Sequence, residues 1–443
     1  MKMAKSPLNV VIIGGSLAGL MHGVMLKQLG HNIHIFEQYS TSIREGQAAG
    51  MSIGAYGQEL LHKHDRIQGR PQFVTASKLE VVDTNLNITE SRPVPFKLTT
   101  WKTFYYRLRA NFDGLKSDYV PVPPPDSPED GSVTYDVGKR VKTVSYVKEK
   151  GVTVTYEDIE SGIEDVLHCD LVIAADGAGS SIRKLLYPNM QIPYAGILTW
   201  RGVVPEHMVS RQTLDFLLDR CIRYYGDRYY IAVYVIAELL GTRNTLTMNS
   251  YLIPGGDGSV KPGERHVNLV WYDTCGKDSP EYLSIMTDID GLQHQRTVPF
   301  GKVRPEVWAK KQAYGNEHFP APIKELVNKI DTPFVTGIYD CVSPRASHFD
   351  GKLFLVGDAF ALFRPHAAQS TNQCAMHCLF LAKFIAGEID LQSYEDKVSS
   401  FANTTLHWSR AIGSEYMDSF VGHLYHEIRF RLARKTQNWR FRL

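Results

Sequence analysis

The first hydrophobic pattern in the chain is a short β-branched run, Asn9-Val10-Val11-Ile12-Ile13, which reads as a buried strand. Gly14-Gly15-Ser16-Leu17-Ala18-Gly19-Leu20 follows at once. Residues 21–29 then carry apolar side chains at helical spacing, and Gly30 stops them. Ile33-His34-Ile35-Phe36 is a second apolar run that ends on Glu37. Strand, tight turn, helix, strand and acidic residue, in that order, predict a βαβ unit for the ADP half of a dinucleotide.

Further along, residues 60–64 read as a helix end. Residues 101–112 (WKTFYYRLRANF) place apolar or aromatic side chains at 101, 104, 105, 108 and 112, again helical. Residues 116–131 hold five prolines and read as a surface loop. Residues 141–147 and 152–156 alternate like a hairpin closed near Gly151. A buried strand at 171–174 runs into Asp176-Gly177-Ala178-Gly179-Ser180-Ser181-Ile182-Arg183.

From 194 to 305 the texture changes. Aromatic-rich strands are expected at 222–225, 229–235, 245–253 and 266–272, with turns such as Pro254-Gly255-Gly256-Asp257-Gly258 between them. That predicts a mostly antiparallel sheet inserted between two α/β segments. Its rings (Trp200, Tyr225, Tyr229, Tyr230, Tyr234, Trp271, Tyr272) suit the face of a flat ligand or the core of the sheet. A strand at 353–356 then delivers Gly357-Asp358-Ala359, and a helix capped by Ser370 or Thr371 runs to Ala386. The rest reads as helical, and residues 429–443 carry six basic residues and no acidic one, which reads first as a solvated or dimer-contact face and otherwise as a patch for an acidic partner or a membrane surface. The expected division is 1–193, first part of a cofactor-binding domain; 194–305, substrate-binding sheet; 306–386, second part of the first domain; and 387–443, helical.

Composition narrows the function. The 443 residues need more than one small core. A hydrophobic content of 43%, charged content of 22% and net charge of +2 describe a globular protein with no field for nucleic acid. No apolar run approaches the roughly 20 residues of a membrane span, so stable membrane insertion is not expected. Six scattered cysteines form no CxxC pair and no zinc spacing. Reduced thiols, a cytoplasmic location and no metal are the expectation.

The chemistry sits in three stretches. Gly14 permits the turn, Gly19 lets the helix approach the sheet, and the helix N-terminus aims N–H groups at a pyrophosphate. Gly15, Ser16 and Ala18 belong to the same turn. Ser16 stands at the middle glycine position, where its hydroxyl can reach phosphate. Glu37, 18 residues after Gly19, and Gln38 stand where a ribose would lie. The second stretch, around Asp176, suits a flavin diphosphate and an approaching nicotinamide. The third runs from Gly357 and Asp358 to Asn372.

GGSLAGL with Glu37, then DGAGSSIR, then GDA with Pro365 seven residues on, resemble the three fingerprints of the flavoprotein aromatic hydroxylases, the para-hydroxybenzoate hydroxylase-like group. TWRGVV (199–204), HVNLVWY (266–272), TVPFGKVRPEVW (297–308) and FRPHAAQST (363–371) are similar to its 2,6-dihydroxypyridine hydroxylase-type branch and that branch's fungal relatives. The resemblance spans essentially the whole chain. It implies an α/β fold: a Rossmann-like, glutathione reductase-like FAD-binding domain, an inserted antiparallel substrate sheet and C-terminal helices. It implies non-covalent FAD, NAD(P)H as passing electron donor, dioxygen, and hydroxylation of an aromatic or N-heteroaromatic small molecule through a C4a-hydroperoxyflavin.

Gly14, Ser16 and Gly19 are then implied at the pyrophosphate and Glu37 at the ribose. Arg109 and Asp358 lie near the diphosphate and ribitol, and Asp176 and Arg183 serve both FAD and nicotinamide. Pro365, Ala368, Ser370, Thr371 and Asn372 fall beside the flavin pyrimidine. Candidates to accept a substrate proton are His366, Tyr225 and Tyr229, and a homodimer is an open expectation. The chain departs from the group at GDAFA for GDAAH, at Ala368 and Ser370 where glycines are usual, and at His377-Cys378 for Asp-Ala. Rival readings are an epoxidase or indole-oxidising tailoring enzyme, a flavin oxidase, or a flavin-fold protein without chemistry.

Overall fold

The computed structural model describes residues 6–40, 50–69, 73–225, 247–417 and 420–435. A six-stranded sheet anchors it, in the order Ser347–His348, Leu353–Leu355, Leu171–Ala174, Asn9–Ile13, Asn32–Glu37, Val133–Val137. Every pairing but the first is parallel. Its central strands are apolar on both faces because helices cover one face and a three-stranded antiparallel sheet the other. That small sheet contains the expected hairpin, Lys139–Val147 with Gly151–Asp158. Leu17–Gln28 is the crossover helix, and Gly30 at φ +84° follows it.

A second sheet of nine strands, mostly antiparallel, builds the other lobe. It takes Tyr194–Pro205, Arg220–Tyr225, Thr247–Ile253 and His266–Thr274 from the segment expected to form it. It also takes Gly50–Ser52, Val74–Val82 and Ile88–Thr100 from the N-terminal segment and Phe334–Tyr339 from beyond 305. The link is a parallel pairing of Arg220–Tyr224 with Lys78–Val82. The fold is thus α/β, a Rossmann-like domain joined to a mostly antiparallel sheet, with two helices, Leu391–Met417 and Phe420–Lys435, behind it. The strand expected at 229–235 lies outside the described residues.

Period-two alternation divides the nine-stranded sheet. One row, Tyr224–Met248–Trp271–Trp200, faces the helices Pro305–His318 and Ala321–Lys329 and forms their core with Trp308, Phe319 and Leu326. The adjacent row, Val81–Arg223–Asn249–Val270–Arg201–Phe334, points the other way, toward the Rossmann-like domain. Trp200 and Trp271 therefore take the second of the two readings open from the sequence, the core of the sheet; one residue of register separates them from the face that lines the cavity. Tyr229, Tyr230 and Tyr234 lie outside the described residues.

Candidate active site

Two features of the Rossmann-like domain face each other. At the first strand end, Gly14 adopts φ +101°, and a Cβ there would lie 2.5 Å from the Ala175 carbonyl oxygen. Gly15 donates its N–H to Glu37 Oε2 at 2.9 Å, and Tyr39 N–H donates to Oε1 at 2.9 Å. The buried Glu37 carboxylate is thus held at the glycine turn. Gln38, half-buried, follows it. Ser16 is the N-cap residue but makes no side-chain cap; its hydroxyl instead accepts from the Trp101 indole at 3.2 Å. The first-turn N–H groups at Leu17, Ala18 and Gly19 are left for another acceptor.

Across from this turn comes Gly357 at φ +57°; a Cβ on it would meet Ala18 at 3.1 Å and the Cys374 sulfur at 2.7 Å. Asp358 beside it has a buried Oδ1 with no partner among the described residues, while the Ser370 hydroxyl hydrogen-bonds the carboxylate. Burial pushes this carboxyl up to about 6. An uncapped helix N-terminus, glycines that exclude side chains and a buried acceptor awaiting a donor suit a dinucleotide pyrophosphate and a sugar-alcohol hydroxyl. The donor set fits FAD.

Arg109 is one ring removed. Its guanidinium donates to both Asp113 oxygens and to the Tyr105 hydroxyl, and it stacks 3.7 Å over the Tyr135 ring. Tyr135 donates to the Gly15 carbonyl at 2.7 Å. Arg109 therefore reaches the turn through Tyr135. Asp176 caps the Ser181–Leu186 helix, accepting from Ser181 Oγ and Ile182 N at 3.0 and 3.1 Å. Arg183, expected at a nicotinamide, is buried and donates to the carbonyls of Asp358, Ala359 and Ala178. These three bonds fix the Asp358–Ala359 segment against the helix start.

Between the two lobes lies a cavity of about 1130 Å³. Its floor is residues 50–56; its roof is Pro365–Ala367 with Ala368, Gln369, Ser370, Thr371 and Asn372; its side wall is the sheet face with Arg201, Cys221, Arg223, Asn249, Tyr251 and Tyr272. The Ser370–Ile385 helix starts here with Gln369 as N-cap and no side-chain cap, so neither Ser370 nor Thr371 plays the expected part. Ala368, at φ +51°, turns the chain into it. Asn372 instead caps a different helix, Ala55–His64, accepting from Tyr56 N at 2.9 Å and donating to Gln369 Oε1 at 2.9 Å.

His366 is buried, with neither ring nitrogen partnered among the described residues, and it stacks on Tyr272. Burial, with the charges of Arg364 and Arg223, holds its pKa well below the usual histidine range. Tyr225 lies on the same sheet face but does not line the cavity. Tyr229 lies outside the described residues.

Arg201, Arg223, Asn249 and Tyr251 were missed in the sequence. Arg201 donates to the Gly50 carbonyl at 3.1 Å and Arg223 to Asn249 Oδ1 at 3.1 Å; neither has a carboxylate partner among the described residues. The signal was available: Cys221, Arg223 and Tyr225 alternate with Ile222 and Tyr224, and Thr247, Asn249 and Tyr251 with Met248, Ser250 and Leu252. Polar residues on every second position of an apolar strand mark its functional face.

All six cysteines are free and buried. Among the described residues no cluster could hold a metal, and no helix is long and apolar enough to cross a membrane.

The chain matches a family model described as an FAD binding domain over residues 7–55, and one described as FAD binding domain-like over 194–248 and 241–340. It is 25% identical to 2,6-dihydroxypyridine 3-monooxygenase of Paenarthrobacter nicotinovorans over 399 residues, 88% of this chain and 86% of the relative. It is 25% identical to 6-hydroxynicotinate 3-monooxygenase of Pseudomonas fluorescens over 242 residues, 53% and 56% of the two chains. Among solved structures, 2,6-dihydroxypyridine-3-hydroxylase from Arthrobacter nicotinovorans shares the fold with a TM-score of 0.71 at 23% identity, covering 94% of this chain and 93% of the other.

Proposed function

We propose that this chain, a flavoprotein monooxygenase of the FAD-dependent aromatic hydroxylase group, hydroxylates an electron-rich, hydroxyl-bearing aromatic or N-heteroaromatic small molecule, with NAD(P)H as electron donor. The two curated relatives carry hydroxylated pyridines in their names, which supports the heteroaromatic class. The observation that carries the reading is the sheet row that sets Arg201 and Arg223 into a cavity, neither with a carboxylate partner among the described residues.

The glycine turn, Glu37 and Asp358 would hold the cofactor, and Pro365 to Asn372 would meet its ring edge. Bound there, FAD supplies two-electron reduction by NAD(P)H and activation of dioxygen. The protein's own contribution is binding, charge and exclusion of water. Val81, Val94, Leu98, Met376 and Phe401 make much of the cavity wall apolar, which keeps water from the reactive edge.

Ring attack by an electrophilic oxygen is fastest on an ionised hydroxyl ring. Two guanidiniums in a poorly hydrated wall lower the pKa of a hydroxyl placed between them. His366, kept neutral by its surroundings, is a weak base and a good hydrogen-bond acceptor. The arginine field therefore drives ionisation, and His366 orients the ring against Tyr272. The test is NAD(P)H consumption with product mass against hydroxypyridines, phenols and indoles. Product bearing one added oxygen, with hydroxypyridines preferred, is expected. Turnover confined to indoles or alkenes would move the chain to the epoxidase reading, and colourless purified protein would remove enzymatic function.

A further inference from the structure

The last described helix, Phe420–Lys435, leaves one side bare. Val421, Leu424, Tyr425, Ile428 and Leu432 recur at helical spacing and are between 47% and 57% exposed. The opposite side attaches the helix to the body. Phe430 stacks on Trp408 with centroids 6.5 Å apart, and His423 Nδ1 lies 3.3 Å from the Ser414 hydroxyl.

Basic residues outnumber acidic ones on this helix by four to one. The helix carries Arg429, Arg431, Arg434 and Lys435 against Glu427, which pairs with Arg431 at 2.8 Å. The sequence then continues Trp439-Arg440-Phe441-Arg442-Leu443, apolar and basic in turn.

We propose that this face is a docking surface for an anionic lipid bilayer, with the helix lying in the plane of the interface. An apolar stripe bordered by arginine and lysine is the composition of helices that bury one face at the headgroup boundary and meet acidic lipids with the other. A second copy of the chain is the poorer occupant. Two such helices packed face to face would bring their basic borders together, and like charges at that range oppose pairing. Five side chains also fall short of the roughly 20–30 residues a side of a stable protein interface.

The test is sedimentation of the full-length holoprotein with vesicles of equal parts phosphatidylcholine and phosphatidylserine, against phosphatidylcholine alone. Binding to the mixed vesicles, at least tenfold weaker to neutral ones and lost in high salt, is expected. Two variants should each lower binding at least tenfold while keeping the yellow colour and unfolding temperature: Leu424→Ser with Ile428→Ser, and Arg429→Gln with Arg434→Gln. Equal binding to both vesicle types, or none to either, overturns the proposal. So does a dimer in light scattering that the Leu424→Ser, Ile428→Ser protein no longer forms, since the face would then be an interface between copies.

Discussion

The imidazole of His366 lies flat on the ring of Tyr272, with centroids 4.3 Å apart and planes 20° from parallel. The first residue comes from the turn after the Rossmann-like domain's last parallel strand, the second from the nine-stranded sheet, so the stack joins the lobes at the cavity. Behind the imidazole, a Cβ built on Gly413 would come within 3.1 Å of the ring, which leaves His366 little freedom to retreat.

That stack yields the first prediction. His366→Ala should retain FAD and still oxidise NAD(P)H, because the glycine turn and Asp358 are untouched. It removes a stacking contact of about 0.5–1.5 kcal/mol and a substrate acceptor. More of the consumed oxygen should appear as hydrogen peroxide and less as hydroxylated product. The product-to-NAD(P)H ratio is the readout; a ratio equal to wild type would make His366 structural.

Arg223 gives the second. Replacing it by Met keeps the aliphatic stem and removes the charge. A charge-assisted hydrogen bond contributes about 1.5–3 kcal/mol, so the Kd of an anionic substrate should rise roughly 10- to 100-fold. An uncharged ring analogue should bind as before. Equal losses for both ligands would point to packing rather than charge.

The βαβ unit was legible because everything it needs is local: a β-branched run, glycines in a turn, helical spacing and a carboxylate on the next strand. The sheet's true extent was not. Val74–Val82 joins it through a parallel pairing with residues well over a hundred positions away, and no local pattern specifies such a partner. Trp200 and Tyr272 show the same limit on a smaller scale. Both are aromatic residues on sheet strands, yet register alone puts one in the core and the other at the cavity. Asn372 reads as a cofactor residue from its stretch, but the fold assigns its side chain to the cap of a helix more than 300 residues earlier.

Glu37 supplies a third prediction. Glu37→Gln keeps an acceptor for one of the two N–H groups it holds and loses the negative charge. FAD affinity should fall by about 1.5–3 kcal/mol if the ribose hydroxyls donate to a carboxylate. Titration of apoprotein by flavin fluorescence measures it, and unchanged affinity would take Glu37 out of the cofactor site.

Ala368 carries strain. An alanine in the left-handed region costs roughly 1–2 kcal/mol that glycine does not. Ala368→Gly should therefore keep the turn and raise the unfolding temperature, less the entropy glycine adds to the unfolded chain. A lower melting temperature would show that the methyl group packs against something the turn needs.

The last prediction concerns acid. His22 and His377 are both fully buried. Burial lowers His22 to about 4, and burial together with the neighbouring His22 lowers His377 to about 3. His22 Nδ1 donates to the Ala18 carbonyl at 2.7 Å, and His377 Nδ1 accepts from Gly357 N–H at 3.1 Å, so both rings are neutral in the folded state. In the unfolded chain each takes a proton near 6.5. Between 6.5 and about 4 the unfolded state then binds more protons, and stability present above pH 6.5 is lost as pH falls through that window. His22 contributes on the order of 3 kcal/mol and His377 on the order of 5 kcal/mol. Asp358 works in the opposite direction. Its carboxyl, raised to about 6, favours the folded state at low pH and gives that up as pH climbs from 3.8 toward 6. One carboxyl against two histidines displaced further leaves the histidines dominant. The unfolding temperature should fall steadily from pH 6.5 to 4. FAD should leave only as the fold opens, because His377, at about 3, stays neutral in the folded protein across this range and goes on accepting from Gly357 N–H beside Asp358. His377→Asn should flatten the profile below pH 6, measured by calorimetry with flavin fluorescence read alongside. A variant profile that overlays wild type would show that acid sensitivity arises elsewhere, with His64 and His407, each also lowered to about 4, the next groups to replace.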